Sequence, residues 1–215
     1  MTARINIGCG MAPTKGWINY DNSPAVRLAQ WPSLTRILHV LRILDAGNLE
    51  FVVFCGVNGI RYANAISRIP HASKSLDVVY SSHMIEHLDR VEAKLFLREC
   101  QRVLKPGGIL RVVAPDLRVT VNDYVTKGNA DKFLLHLQLD LDKPHGLRSH
   151  ISRLLLGGRN HHWMYDAKSL SGLLSECGYR SVQVLDPGQT GIAEPGTLNL
   201  HERAGESIYL EAKNP

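Results

Sequence analysis

Two histidines and a glutamate fall within five residues, at His83, Glu86 and His87. If this segment is helical, the three side chains share one face, because residues three and four apart are neighbours on a helix. Two imidazoles and a carboxylate form a reasonable ligand set for a divalent ion. The spacing fixes no fourth ligand, so we assign no metal from the sequence.

A second group of candidate residues surrounds a glycine turn near the start of the chain. Gly8 and Gly10 follow one short apolar run, and Asp21 ends the next. A dinucleotide-binding fingerprint would need a third glycine and a helix facing a pyrophosphate, whereas a proline stands at the third position. An acid at the end of a strand can instead accept both hydroxyls of a ribose. This arrangement suits a nucleoside that carries a positive sulfonium better than it suits NAD.

The composition is ordinary for a globular domain, with 215 residues, 44% hydrophobic and 21% charged. No apolar run approaches the ~18 residues of a membrane span, and an apparent strand at Ile5 leaves no room for a signal peptide. Four cysteines without CxxC spacing indicate reduced thiols. We therefore expect a cytoplasmic protein with a single domain over residues 1–215.

Strand and helix patterns alternate along the chain. The predicted strands are Ile5–Ile7, Trp17–Tyr20, Gly59–Ala65, Leu76–Tyr80, Ile109–Ala114, Val182–Leu185 and Ser207–Ala212. Asp89 with Glu92 three residues later predicts a capped helix through Leu104, and a second helix is expected over Ser169–Cys177. The buried stripe expected for the first helix is Val91, Leu95, Phe96, Cys100, Val103 and Leu104. This alternation indicates an α/β sheet with ligands at the carboxyl ends of its strands.

Two connections carry further expectations. An extra helical segment, about residues 24–59, contains apolar residues at helical spacing between Ser33 and Asp45, so a helix capped by Ser33 is expected. Such a helix could form a lid or a dimer face, but more often it packs on its own domain. The run Leu49–Phe54 could be strand or helix. Because only residues 8–16 join the first two strands, we predict a single short helical turn near Ala12–Lys15.

Three blocks together resemble the class I S-adenosylmethionine-dependent methyltransferases. They are Gly8-Cys9-Gly10, LDVVYSSHMIEHL (76–88) and RVLKPGGILRVVAPD (102–116). The segments GWINYDNSP (16–24), HHWMYD (161–166), LLSECGYRSVQVL (173–185) and ESIYLEA (206–212) are similar to a largely uncharacterised bacterial subgroup of the methyltransferase type 11 kind. The resemblance covers essentially the whole chain. It implies a Rossmann-like three-layer α/β sandwich with a seven-stranded, mostly parallel sheet, an antiparallel last strand and S-adenosyl-L-methionine as cofactor.

The resemblance also assigns cofactor-binding residues. These are Gly8, Cys9, Gly10, Asp21, Asn64, Ala65, Ser82 and His83. Asp21 would bind the ribose hydroxyls, and Ser82 and His83 would lie beside the methionine and the methyl group. Asn64 stands where relatives tend to carry an acid that contacts the adenine amino group, and its amide oxygen can still accept that bond. His71 replaces a phenylalanine that is usual in relatives, which would make the adenine pocket less apolar.

His83 is the expected catalytic base, because an alcohol is a poor nucleophile at neutral pH and a base beside the methyl group helps. The alternative is that His83 shapes the cofactor pocket or caps a helix. In relatives without a metal, Glu86 and His87 would brace the cofactor loop or cap a helix. Asp116 could be a second site carboxylate or a turn residue.

The resemblance implies that residues 117–165 build the acceptor site or its lid. The substrate-binding candidates there are His161, His162, Trp163 and Tyr165. Aromatic rings beside histidines suit stacking on a sugar, although a polar loop anchored in the core by Trp163 is the alternative.

The expected function is methyl transfer to an oxygen of a small-molecule or glycan-pathway acceptor. A non-catalytic cofactor-binding or scaffold protein on the same fold is the alternative that Asn64 and His71 suggest. A nucleic-acid methyltransferase is suggested by the net charge of +5 and the basic residues Arg148–Arg159. The lack of an appended RNA-binding module argues against that alternative. The sequence does not predict the oligomeric state.

Overall fold

The computed structural model describes residues 2–138 and 160–215, and a single sheet organises them. The strands are β1 (Arg4–Ile7), β2 (Ile18–Asp21), β3 (Arg61–Tyr62), β4 (Leu76–Ser82), β5 (Leu104–Pro115), β6 (Arg180–Leu185) and β7 (Ser207–Lys213). Their order across the sheet is β3-β2-β1-β4-β5-β7-β6. β7 runs antiparallel to β5 and β6, and the other neighbours are parallel. This confirms the expected α/β sheet with an antiparallel last strand.

Helices fill most of the connections. They are α1 (Pro24–Leu28), α2 (Pro32–Val40), α3 (Ala46–Val57), α4 (Arg90–Val103), α5 (Leu117–Lys127), α6 (Ala130–Leu137) and α7 (Ala167–Glu176). A 3-10 turn covers Ile85–His87. The predicted cap of α4 is confirmed, since the Asp89 carboxylate accepts from the Glu92 amide while the Glu92 side chain accepts from the Asp89 amide. Such a capping box satisfies amides that the first helical turn leaves free. No helix in the described ranges has the length and apolar character that crossing a membrane requires.

The expected buried stripe of α4 is wrong at two positions. Val91 is 68% exposed and Leu95 is 41% exposed, whereas Ala93 and Leu97 are fully buried. The helix therefore faces the sheet through a stripe rotated from the one inferred. Ala93 carries little apolar surface, so a search for large apolar residues passes over it.

The two faces of the sheet are covered differently. The larger core packs α4 and α7 against one face. On the opposite face, the side chains of Tyr80 and Tyr209 contact Ile192 and Leu198. The latter two come from residues 186–206, a connection between β6 and β7 that contains no helix. A loop therefore takes the place of a helical layer over this part of the sheet.

A buried ion pair holds that loop to the sheet. Arg111 of β5 lies opposite Glu211 of β7, with 2.7 Å between the guanidinium and the carboxylate. Arg111 is fully buried and also donates to the Gln189 carbonyl. The Glu211 carboxylate accepts from the Thr190 hydroxyl and the Gly191 amide. The pair thus joins two strands and the loop that covers them.

The predicted helical turn at Ala12–Lys15 is wrong. Residues 8–17, named here the glycine loop, join β1 to β2 without a helix. Two buried asparagines bind its backbone instead. Asn6 donates to the Ala12 carbonyl, and the Asn19 amide group both accepts from and donates to the backbone of Thr14. Because side chains satisfy the polar groups of the loop, the crossover does not need helical hydrogen bonds.

The extra segment forms α1, α2 and α3, so the ambiguous run at Leu49–Phe54 is helical. The expected Ser33 cap is wrong, because α2 begins at Pro32 after Trp31 and no side chain caps it. Of the alternatives given for this helix, its exposed apolar residues disfavour packing on its own domain. Leu34 is 45% exposed, and Ile37 and Leu41 are each 55% exposed.

Candidate active site

The carboxyl ends of five parallel strands form one edge of the sheet. From the β3 side to the β5 side, this edge carries Asn64, Asp21, Gly8, His83 and Asp116. The sequence separates these residues widely, but each ends a strand or follows one within two residues. The sheet order therefore brings the predicted site residues to a single rim, where α/β sheets bind their ligands.

The two glycines of the glycine loop have different surroundings. Gly8 has a φ of +70°, and a Cβ added there would lie 2.4 Å from Cγ of Met84. Met84, just after β4, therefore leaves no room for a side chain at Gly8. Gly10 has a φ of +49°, but a Cβ added there would meet no heavy atom within 4 Å. Both positions favour glycine through their backbone conformation. Only Gly10 leaves open space in which a ligand could approach the backbone.

Asp21 is fixed by backbone amides on both oxygens. Its Oδ2 accepts from the Gly10 amide at 2.9 Å, and its Oδ1 accepts from the Ser23 amide at 2.8 Å. A carboxylate has about four lone-pair sites, so each oxygen keeps the capacity to accept one more hydrogen bond. The half-buried carboxylate can therefore still receive two ribose hydroxyls.

The Cys9 thiol is held in its unreactive, protonated form. Burial raises the pKa of Cys9 far above its ordinary value, and the negative charges of Asp21 and Cys55 add to the effect. Burial, followed by the charge of Asp21, also raises the pKa of Cys55 to about 11. Thiolates are the reactive form of cysteine. Cys9 can therefore serve the site through its backbone and its packing rather than as a nucleophile.

Near β3, Asn64 uses its side-chain oxygen to accept from the Ile66 amide at 3.1 Å. Ala65 is buried in the main core. His71 packs edge-on against Tyr20, with its Nε2 3.1 Å from the tyrosine hydroxyl. Burial lowers the pKa of His71, and the charges of nearby arginines lower it further. This side of the rim is thus held together by its own hydrogen bonds.

His83 stands in a strained turn at the end of β4. Its φ is +49°, and its amide donates to the Val113 carbonyl. The ring Nε2 lies 3.0 Å from the Ser207 hydroxyl, while Nδ1 lies 3.4 Å from Glu86 Oε1 and 3.3 Å from the Arg203 guanidinium. Sequence reasoning missed Ser207 and Arg203 because they follow His83 by more than 100 residues and match no local motif.

Ser82 ends β4 beside Val113 of β5. Its hydroxyl oxygen is buried and lies beside the Tyr80 hydroxyl, whose pKa burial raises and this neighbour lowers. The open space at Gly10 and the unused lone pairs of Asp21 fit a polar ligand bound at the rim.

Glu86, His87 and His161 form a third group, named here the Glu–His cluster. One ligand atom from each residue lies within 4.8 Å of the others. Glu86 is 1% exposed, and the rings of His87 and His161 meet edge-on with centroids 5.0 Å apart. Burial lowers the pKa of His161, an effect that the Glu86 charge opposes. The segment is not an α-helix with His83, Glu86 and His87 on one face, the condition considered for that ligand set, and the cluster combines a 3-10 turn with a distant loop instead.

The other predicted acceptor residues separate. His162 is exposed and Trp163 is 46% exposed, with the Arg90 guanidinium 5.2 Å from the Trp163 ring centroid. Tyr165 is 1% exposed, so Tyr165, rather than the Trp163 of the alternative interpretation, anchors this loop in the core. Asp116 caps α5 by accepting from the Arg118 amide. That contact agrees with the turn-residue interpretation of Asp116.

Comparison with known proteins gives a fold and a family match over part of the chain. Residues 50–112 match the methyltransferase domain family. A search of curated proteins finds no match. Solved structures that share the fold include an S-adenosylmethionine-dependent methyltransferase from Thermotoga maritima, described as a possible histamine N-methyltransferase. The two are 16% identical over 100% of this chain and 83% of that chain, with a TM-score of 0.52.

Two further structures agree. A methyltransferase from Archaeoglobus fulgidus is 15% identical over 99% of this chain and 86% of that chain, with a TM-score of 0.50. An O-methyltransferase family protein from Burkholderia thailandensis is 12% identical over 99% of this chain and 51% of that chain, with a TM-score of 0.51. Residues 50–112 therefore match a methyltransferase domain, and the chain shares its fold with S-adenosylmethionine-dependent methyltransferases.

Proposed function

We propose that the protein transfers a methyl group from S-adenosylmethionine to an oxygen of a small-molecule or carbohydrate acceptor, with His83 as the base. The observation that carries this proposal is the buried contact between His83 and Glu86. It lies at the carboxyl end of β4, and Met84 beside it packs against Gly8. The imidazole therefore stands next to the loop that would hold the methyl donor.

The backbone of His83 supports a functional role. A left-handed conformation costs a residue other than glycine about 1–3 kcal/mol, and such strain clusters at active sites. The Val113 carbonyl and the Ser207 hydroxyl hold the residue in this conformation. The strain directs the ring to the rim, between β5, β7 and the 3-10 turn.

When bound, S-adenosylmethionine supplies an electrophilic methyl group. Gly10, Asp21 and Ser82 would hold it, and Asn64 and Ala65 would border its adenine. His83 would take the proton from the acceptor hydroxyl as that oxygen becomes a nucleophile. With a hydrogen on Nδ1 facing Glu86, the Nε2 lone pair, which the Ser207 hydroxyl now contacts, would take this proton once the acceptor hydroxyl replaces Ser207 there, and the carboxylate stabilises the imidazolium that forms.

The acceptor class is supported by the exposed part of the loop that carries His161. His162 and Trp163 are accessible, and Arg90 lies over the indole ring. A sugar ring stacks well on an exposed indole, and a nearby guanidinium suits a phosphate or carboxylate on the same acceptor. A nucleotide-sugar or an acidic glycan intermediate combines these two features.

The test begins with calorimetric titration of S-adenosylmethionine. Turnover is then measured with a labelled methyl donor against nucleotide-sugars and glycan intermediates. The absence of donor binding at high micromolar concentration would overturn the proposal. Binding without turnover on every acceptor would favour a non-catalytic role. The basic residues Arg148–Arg159, which suggested a nucleic-acid substrate, lie outside the described residues.

The base is tested by His83→Asn, because asparagine tolerates a positive φ better than alanine does. Turnover should fall about 10²–10⁴-fold, the usual contribution of a general base, with donor affinity near that of the wild type. His201→Asn is the matched control, since His201 is exposed. An unchanged rate in His83→Asn, or an equal loss in both variants, would remove His83 from the mechanism.

A further inference from the structure

The Glu–His cluster contains buried polar atoms that the fold leaves without partners. Glu86 Oε2 and His161 Nδ1 are both buried, and neither has a hydrogen-bond partner among the described residues. The two residues are 1% and 8% exposed. A buried polar atom without a partner costs about 1–3 kcal/mol, and more when the group is charged. Two such atoms in one cluster indicate that a group beyond the described residues completes their bonding.

His87 is oriented as a metal ligand is. Its Nδ1 lies 2.9 Å from the Asn160 carbonyl. A carbonyl only accepts, so Nδ1 carries the hydrogen and the Nε2 lone pair is directed away from this bond. Histidines that bind metals almost always donate their other ring N–H to a carbonyl or carboxylate in this way. The structure thus fixes the tautomer that frees Nε2.

Backbone hydrogen bonds hold the two halves of the cluster together. The carbonyl of Glu86 accepts from the His162 amide at 2.7 Å and from the Trp163 amide at 3.1 Å. These bonds fasten the loop that carries His161 to the 3-10 turn that carries Glu86 and His87. Nearly 75 residues separate the two segments, so the proximity is a property of the fold and not of a local motif.

We propose that Glu86, His87 and His161 bind a divalent transition-metal ion, for which Zn²⁺ fits best. Two imidazoles and one carboxylate are a common protein ligand set for Zn²⁺, with a fourth position left to water or another ligand. Ligand atoms at Zn²⁺ bond lengths of ~2.0–2.1 Å stand about 3.4 Å apart in a tetrahedron. The separations here extend to 4.8 Å at most, so small side-chain rotations bring the atoms onto the ion.

An ion can reach this position. His87 is half-buried rather than sealed, and the adjacent His162 is exposed. The other carboxylate oxygen, Glu86 Oε1, lies 3.4 Å from His83 Nδ1 and can keep that contact. Metal binding through Oε2 is therefore compatible with the contact between His83 and Glu86 described above.

The experiment measures metal affinity without a methyl donor or an acceptor, so its result is independent of the proposed methyl transfer. Protein stripped with a chelator is titrated with Zn²⁺ in competition with a chromophoric chelator. The wild type should bind one Zn²⁺ per chain. Glu86→Gln and His161→Asn should each lower the affinity by at least about 100-fold, because each removes a direct ligand and even second-shell changes cost 10–100-fold.

His162→Asn is the matched control. It changes the neighbouring histidine in the same loop, whose exposed ring lies outside the cluster, and should keep the affinity of the wild type. Circular dichroism confirms that each variant is folded. Zn²⁺ should raise the melting temperature of the wild type and of His162→Asn but not that of the two ligand variants.

Co²⁺ gives a second readout that does not depend on the variants. Bound to two imidazoles and a carboxylate, it should show visible bands without the near-ultraviolet charge-transfer band of thiolate ligands. Failure of the wild type to bind either ion would overturn the proposal. So would a thiolate band, or affinities in Glu86→Gln and His161→Asn equal to that of the wild type.

Discussion

The glycine loop and the Glu–His cluster stand at the same rim of the sheet, yet they treat polar groups in opposite ways. In the loop, Asp21 accepts from two amides, and the side chains of Asn6 and Asn19 bind the backbone. In the cluster, Glu86 and His161 each keep a buried polar atom without a partner. Within residues 2–138 and 160–215, the polar groups of the loop have partners, whereas those two atoms of the cluster have none.

This difference separates two kinds of binding region. A loop whose polar groups are satisfied is preorganised, so a ligand binds it without ordering it first. A cluster with unmet polar atoms costs the folded state free energy until a ligand or ion arrives. Substitutions in the glycine loop should therefore lower the free energy of unfolding, whereas substitutions in the ligand-free Glu–His cluster should change it little. The following predictions test that contrast.

The largest effect is expected for Gly8→Ala. It combines an unfavourable φ of +70° with a Cβ 2.4 Å from Met84 Cγ, so the free energy of unfolding should fall by about 2–4 kcal/mol. Gly10→Ala is the matched comparison, because its Cβ would meet nothing within 4 Å. Its stability loss should be smaller, about 1 kcal/mol, while its donor affinity should fall. Urea denaturation measures both, and equal stability losses would contradict the assignment.

Asp21→Asn should weaken donor binding. The amide group offers one accepting oxygen where two backbone amides now find two. Hydrogen bonds to a charged group contribute about 1.5–3 kcal/mol, which corresponds to roughly 10–150-fold in affinity. Calorimetric titration of S-adenosylmethionine measures the change. Asp186→Asn, at an exposed position, is the control, and an unchanged affinity in Asp21→Asn would show that the carboxylate does not hold the ribose.

Glu86→Gln, unlike Gly8→Ala, should not lower the stability of the metal-free protein. It replaces a buried carboxylate that has an unpartnered oxygen with a neutral amide, which relieves the cost of burying charge. The free energy of unfolding should stay within about 1 kcal/mol of the wild type or rise. The glutamine oxygen can keep the contact with His83, so a loss of several kcal/mol in metal-free protein would mean that the chain satisfies Glu86 Oε2 as well, and the contrast between the two regions would fail.

The smallest effect concerns His71, on the satisfied side of the rim. Burial holds the pKa of His71 below its ordinary 6.5 in the folded protein. The unfolded chain then binds a proton more tightly, so this residue lowers stability progressively as pH falls through 6.5. His71→Phe lacks the titration. Denaturation between about pH 7.5 and about pH 5 should show the wild type losing stability relative to the variant, whereas parallel profiles would contradict the shift.

Local signals predicted local structure. The capping box at Asp89 and Glu92 gave the start of α4, and runs of apolar residues gave the strands. The helical turn predicted at Ala12–Lys15 failed because the loop obtains its hydrogen bonds from Asn6 and Asn19. Nothing in a local pattern shows that two asparagines on neighbouring strands will face one loop.

The site was predicted in the same uneven way. Residues next to strand ends, such as Asp21 and His83, could be placed because parallel strands end at one edge. His161 could not be joined to Glu86, since backbone bonds across the fold bring them together. Tyr165 and Trp163 look interchangeable as core anchors in sequence, and only the packing distinguishes them.

The buried pair of Arg111 and Glu211 helps to set the register of β7 against its neighbours. β7 inserts between β5 and β6, both of which precede it in the chain. A slip of two residues would keep the same side chains facing the core, so apolar packing alone discriminates weakly against it. It would, however, bury both charges apart from each other, at a cost of several kcal/mol. The ion pair therefore favours the observed register of β7 over registers shifted by two residues.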